Sequence, residues 1–318
     1  RCPPWFSGFS SSCRLSMLNQ ATHLMISSFI EASAIVKAVA FFMVWVLVWL
    51  PLGIPLAIAL KWQPAQPITP SQKLPLVASL YLVAPLILWG FAQIQKVPFS
   101  AYGLTATPSF LSSLGLGLIF GVLGLAVLFG LQVRLGWIQW LPTAEISASN
   151  SDSNFVSEAS STPTSKLTWQ ILLPTLLLGL WVSVTEELVF RGFLLNQLQS
   201  EYSFWLAGAI ASVVFAALHL VWEGLENAPQ LPGLWLMGMV LVLARQVDGG
   251  SLGLACGLHA GWIWGIASLD TAQAIKYTGK GAAWMTGLGQ QPLAGLMGLL
   301  FLAGTGVGLW WLETSKLL

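Results

Sequence analysis

The chain has very little charge: Asp, Glu, Lys and Arg together make up 8% of it, against roughly 25% in soluble globular domains. That scarcity excludes water as the main solvent of the folded chain. Thirteen basic residues balance twelve acidic ones, which leaves neither a nucleic-acid-binding footprint nor a polybasic membrane clamp. Cysteine is equally sparse. Of the three, Cys2 and Cys13 stand near the start and Cys256 lies in an apolar run. With no Cys-x-x-Cys spacing among them, a cysteine metal cluster is not expected. Two hydrolase signatures are also missing. Without Gly-x-Ser-x-Gly no serine is marked as a nucleophile, and without His-Glu-x-x-His there is no zinc-binding helix of that type.

What is present is apolar: 56% of the residues are hydrophobic and the mean hydropathy is +0.76. A membrane-spanning helix needs about 20 predominantly apolar residues. Eight stretches meet that need: Ala34 to Leu60, Leu74 to Ile94, Phe110 to Gln132, Leu167 to Leu198, Phe204 to Trp222, Leu231 to Val247, Ser251 to Leu269 and Pro292 to Leu312. Backbone groups in hydrocarbon must be satisfied within each segment, and the runs lack the alternation of a barrel. The expected fold is therefore all-α, a polytopic membrane bundle of about eight transmembrane helices and an integral, multi-pass membrane protein.

The organisation reads as three helices (34–141), a polar linker (142–166) and five helices (167–318). The linker is rich in Ser, Asn and Thr, and cannot bury enough apolar surface to fold alone. Residues 1–33 are Ser-rich without a convincing signal-peptide core, and are read as an N-terminal tail, disordered or targeting, outside the bundle. The Lys and Arg count between alternate loops is seven against six, which sets no orientation. Gly117-x-x-x-Gly121 and Gly304-x-x-x-Gly308 are read as ordinary close helix packing. Trp62, Trp137 and Trp140, at segment ends, are read as interfacial.

Ionisable groups at helix centres cost about 2.5–3.5 kcal/mol each on insertion scales, so they are rare and face an interior or a water-filled cavity. Three clusters qualify here: Glu186-Glu187-x-x-x-Arg191, Phe215-x-x-x-His219 and His259 within Gly-Leu-His-Ala-Gly. Glu187 and Arg191 are four apart in the favourable acid-first order, hence an expected ion pair. Glu186 lies about 100° around the helix from its neighbour and is left to face something else. A carboxylate shielded from bulk water and without a counter-ion suits a general base.

One such histidine is more often a helix-to-helix hydrogen-bonding group than a catalyst, but two of them beside an unpaired Glu point to a site. The chemistry this set supports is hydrolysis, in which Glu186 takes a proton from water, one histidine shares or relays it, and the other stabilises the oxyanion. No cofactor is required. A divalent metal is compatible with the same set, since Glu186, His219 and His259 would supply three ligands and an open position. His219 and Glu223 share a spacing that metal pairs use, but Glu223 sits where the apolar span gives out and reads as a helix-end charge contact. A proton-coupled carrier would also place Glu and His in the membrane, although no repeated half is visible.

Taken together, the Glu-Glu-x-x-x-Arg run at 186–191, Phe-x-x-x-His at 215–219 and the further membrane His259 resemble the CPBP intramembrane protease family, which includes the type II CAAX prenyl endopeptidases and bacteriocin self-immunity proteins. The resemblance covers Leu167 to Leu269. It implies an eight-helix bundle that cleaves a peptide or membrane-protein substrate near the bilayer, in contact with lipid and without nucleic acid. Glu186 then looks like the water-activating glutamate, and His219 like a histidine working on the same water. His259 looks like the start of a His-x-x-x-Asn pair that stabilises the oxyanion, with Glu187 and Arg191 in support. Ile263 stands where that pattern has Asn, and losing one oxyanion donor costs roughly 10² to 10³ in rate. The alternative implied by Ile263 is a catalytically weak or inactive member acting as a chaperone or assembly factor.

Overall fold

Helix starts are written locally in the sequence. Thr107 accepts a hydrogen bond from the Phe110 backbone N–H at 3.3 Å, with Pro108 at the first helical position, where its missing donor costs nothing. Pro70 plays the same part after Thr69, whose backbone N–H donates to the Gln72 side chain at 3.1 Å. The computed structural model describes residues 19–21, 27–63, 66, 68–141 and 167–315. The polar linker 142–166, most of the N-terminal tail, Cys2, Cys13 and His23 lie outside the described residues.

Among the described residues eight long helices follow in order: α1 (Ala34–Ala59), α2 (Pro70–Gln95), α3 (Pro108–Arg134), α4 (Trp169–Glu187), α5 (Phe204–Glu223), α6 (Leu231–Val247), α7 (Gly253–Thr271) and α8 (Leu296–Ser315). α4 does not end at Glu187. It continues without a break through a π-helical segment, Leu188–Leu194, and a last α turn, Leu195–Gln199. Among the described residues seven helical stretches are long and apolar enough to cross a membrane, and their outward faces carry exposed apolar side chains such as Val39, Met43, Leu47, Leu82 and Val127. The chain is an integral, multi-pass membrane protein.

The span expected at Ser251 to Leu269 differs from the others. α7 is helical but is not among the seven, because His259, Asp270 and its glycines dilute its apolar content. Its first ten residues are buried without exception, so it is the central helix of the bundle rather than a lipid-facing one. A second difference is a small antiparallel pair of strands, β1 (Ile138–Trp140) and β2 (Ile275–Tyr277), which closes one end of the bundle.

α7 is seated between α3 and α4. On the α3 side the backbones touch: a Cβ on Gly117 would lie 2.4 Å from the Leu254 carbonyl oxygen, and one on Gly257 would lie 2.1 Å from that of Leu114. Gly121 and Gly261 repeat the arrangement one turn on and Gly253 meets the Phe110 carbonyl one turn before, so the helices run parallel with five glycines at the seam. The Gly304 and Gly308 positions meet nothing within 4 Å, so that pair forms no such seam. Asp248 fixes the start of α7, accepting from the Leu254 N–H at 3.0 Å and from the Ser113 hydroxyl on α3 at 2.6 Å. On the other side, Trp264 donates to the Leu172 carbonyl at 2.9 Å and Thr175 meets Ser268 at 2.8 Å. This double clamp sets the height of His259 against α4.

Candidate active site

The end of α4 brings two carboxylates into the protein interior. Glu187 is fully buried and Arg191 is 1% exposed, and their side chains pair at 3.0 Å across one turn. The same Glu187 Oε1 also accepts a hydrogen bond from Nδ1 of His259 at 2.8 Å. One oxygen thus serves both a guanidinium and an imidazole. The Arg191 guanidinium lies 4.3 Å from the centroid of the Phe215 ring on α5, a cation–π contact that shields its charge from the apolar surroundings.

Because Nδ1 of His259 faces a carboxylate, Nε2 is the ring nitrogen left for other work. It lies 3.6 Å from Oε2 of Glu186. That separation is too long for a good hydrogen bond, and this Oε2 is buried with no hydrogen-bond partner among the described residues. Its other oxygen, Oε1, accepts a hydrogen bond from the Tyr81 hydroxyl on α2. Glu187 Oε2 and Arg191 Nη2 are likewise buried and unpartnered. Buried polar groups are ordinarily satisfied, and exceptions of this kind concentrate where water or a reacting group is accommodated.

His219 is placed differently. It is half-buried on α5, and Nδ1 donates to the Phe215 carbonyl at 2.9 Å, which leaves Nε2 as its second nitrogen. Among the described residues no hydrogen bond or ion pair joins it to Glu186 or His259. What links the two histidines is Phe215, whose ring stands edge-on to both, at 4.5 Å from His219 and 6.1 Å from His259. Four of the five expected residues, Glu186, Glu187, Arg191 and His259, therefore form one contact network, with His219 reached through an aromatic spacer. Glu223 pairs with Lys73 on α2 and takes no part. Ile263 lies one turn from His259 along α7, against α4 near Gly179.

Two features were not foreseen. Tyr81 is the contact that the first three helices send to the site, and its only advance sign is a hydroxyl in the middle of an apolar span. Arg245 on α6 donates to the backbone carbonyl of Arg191, to Asn196 Oδ1 at 2.9 Å and to the Gly250 carbonyl at 3.1 Å. It braces the π-helical segment from outside, where the widened turn makes a carbonyl reachable, and so steadies the residue that pairs with Glu187.

As a metal site the constellation fits poorly. Glu186 and His259 approach one another, but His219 does not join them. Among the described residues no group of three or more His, Cys, Asp and Glu side chains is arranged to hold a metal ion.

This network falls inside a recognisable stretch of sequence. Residues 168–265 match the family model described as Type II CAAX prenyl endopeptidase Rce1-like. The matched region runs from the start of α4 to the middle of α7 and contains every residue of the network except Tyr81. The chain is also 33% identical over 84 residues to an Escherichia coli protein described as "Uncharacterized 24.3 kDa protein". That similarity covers 26% of this chain and 37% of the relative, so the chain spans little more than a third of the relative's length. No solved structure matches the chain.

Proposed function

We propose that the chain is an intramembrane endopeptidase, hydrolysing peptide bonds at or within the membrane with Glu186 as the base that activates water. The observation that carries this reading is the unpartnered Glu186 Oε2 facing Nε2 of His259 at 3.6 Å inside a buried charge network. A buried carboxylate oxygen without a partner calls for a donor beside it, and a water molecule giving its proton to Glu186 is the reactant a hydrolase needs. The match of residues 168–265 to the Rce1-like model supports the same class of chemistry.

In the proposed reaction Glu186 Oε2 accepts a proton from water as the oxygen attacks the peptide carbonyl carbon. His259 stabilises the developing oxyanion in its doubly protonated form, with Nδ1–H donating to Glu187 and Nε2–H donating to the oxyanion. The proton on Glu186 then passes to the leaving amine. Arg191 orients Glu187 through their ion pair, and His219 acts on the same water through its second nitrogen. With Ile263 in place of a polar side chain, His259 carries oxyanion stabilisation without the Asn of the family pattern, and a slow enzyme is expected.

The test compares purified protein with its Glu186→Ala variant on prenylated and unprenylated tail peptides and on membrane-protein segments. Cleavage by the wild type alone supports the proposal, whereas equal cleavage by both sinks it. A second reading, a catalytically weak or inactive membrane protein acting as a chaperone or assembly factor, is favoured by Ile263 and by the separation of His219 from Glu186. Full complementation of a deletion phenotype by Glu186→Ala and His219→Ala would favour that reading.

A further inference from the structure

We propose that Tyr81 is a positioning residue for the base: its phenol holds one oxygen of the Glu186 carboxylate, so that the other is presented toward His259. This inference rests on the reading of Glu186 as the base. Among the described residues, α2 meets the second half of the bundle through three polar side-chain contacts. Lys73, near its start, pairs with Glu223; Gln95, at its end, accepts from Gln197 at 2.9 Å; and Tyr81, between them, donates to Glu186. The outer two join helix ends. Tyr81 alone reaches a carboxylate of the site.

The consequence lies in how a glutamate carboxylate turns. Its terminal torsion is broad and two-fold, so an unanchored carboxylate presents either oxygen in a range of directions. Here Oε1 is taken by the phenol and Oε2 is left unpartnered, 3.6 Å from His259 Nε2. Glu187 is organised in the same way, with Oε1 doubly engaged and Oε2 unpartnered, but its anchors are Arg191 and His259. The adjacent carboxylates are thus distinguished by their anchors: a cation and an imidazole for Glu187, a neutral phenol for Glu186. A neutral donor orients a base without cancelling its charge.

The anchor is itself braced. The Tyr81 ring lies against Trp45 on α1, with centroids 6.4 Å apart, and the Trp45 indole donates to the carbonyl of Leu80 at 2.9 Å. Trp49, one turn on, donates to Ser79 at 2.9 Å. These bonds fix the turn of α2 that carries Tyr81. The first helices therefore enter the chemistry through one hydroxyl, outside the region that matches the family model.

Tyr81→Phe removes that hydroxyl and keeps the ring. Infrared difference spectra of the full-length protein in detergent, wild type against Glu186→Gln, identify the carboxyl band of Glu186. The expected result is that Tyr81→Phe shifts this band at unchanged thermal stability, while adding Tyr81→Phe to Glu186→Gln produces no carboxyl change. An unmoved band in Tyr81→Phe overturns the proposal. On any peptide the wild type cleaves, Tyr81→Phe should lower kcat by about 10- to 100-fold with KM held within about twofold. It should cause no further loss on top of Glu186→Gln. Wild-type cleavage by Glu186→Gln would defeat the base itself. Loss of activity in Glu186→Gln together with full kcat in Tyr81→Phe would defeat only the positioning role.

Discussion

Removing Glu187 should be the most damaging single change in the site, and the damage should be largely reversible by a second change nearby. Its Oε1 is shared by Arg191 at 3.0 Å and His259 at 2.8 Å, with both ion-pair partners essentially sealed from solvent. Truncation to Ala leaves the guanidinium in the interior against the Phe215 face, with no other carboxylate in ion-pair contact among the described residues. Breaking a buried pair from one side costs about 3–5 kcal/mol, because an uncompensated charge remains. The orphaned His259 N–H adds about 1 kcal/mol. A loss of roughly 4–6 kcal/mol is expected for Glu187→Ala. Replacing Arg191 with Met as well removes the stranded charge and refills its volume, so Glu187→Ala/Arg191→Met should recover at least ~2 kcal/mol. Reversible unfolding of the detergent-solubilised protein measures both. A double variant no more stable than Glu187→Ala, or a single variant within about 1 kcal/mol of the wild type, would refute this account of the network.

Gly257→Ala should destabilise by about 1–3 kcal/mol, since its Cβ would meet the Leu114 carbonyl at 2.1 Å, whereas Gly304→Ala, with nothing within 4 Å, should be neutral or slightly stabilising. Equal effects in a thermal melt would disprove the glycine seam. Burial pushes the phenol of Tyr102 up to about 12, and burial with a smaller contribution from Asp270 does the same for Tyr277. Both values lie above the unfolded value of about 10, so their contribution is fully present below that pH and is lost as the pH rises toward 12. Stability should fall across that alkaline window, and less steeply in Tyr102→Phe/Tyr277→Phe; an identical fall in both proteins would count against it. The Tyr102 hydroxyl is buried without a hydrogen-bond partner among the described residues, so Tyr102→Phe should also raise stability at neutral pH by up to about 1 kcal/mol. A drop would mean that the hydroxyl is satisfied in solution.

Most of the helical framework could be read from hydropathy, because lipid imposes one rule on every span. Expected and observed limits agree to within a few residues for α1, α3, α5 and α6, as in Leu231–Val247. α7 was legible as a helix but not in its setting: the His and Gly residues that give it contacts with α3 and α4 also lower its hydropathy. The π-helical segment at Leu188–Leu194 carries no sequence signature, and the groups that meet it, the Arg245 guanidinium and the Tyr102 backbone, come from distant parts of the chain. The β1–β2 pairing joins three-residue pieces from distant parts of the chain, too short for any periodicity. In the site, the i,i+4 rule was enough for the Glu187 and Arg191 contact, because both partners lie on one helix. Contacts between helices were harder to anticipate. His259 bonds to Glu187 as well as facing Glu186, His219 stands apart behind Phe215, and Tyr81 arrives from a helix outside the motif region.

The central claim is that Glu186, rather than its neighbour, activates water. The decisive measurement is the single-turnover cleavage rate of Glu186→Gln and Glu187→Gln on one peptide that the wild type cleaves, with folding of each variant checked by its melting temperature. Glu186→Gln should lose about 10²- to 10⁴-fold, the usual worth of a general base. Glu187→Gln, which keeps an acceptor for Arg191 and His259, should lose much less. Cleavage by Glu186→Gln at the wild-type rate, or an equal collapse in a folded Glu187→Gln, would contradict the account.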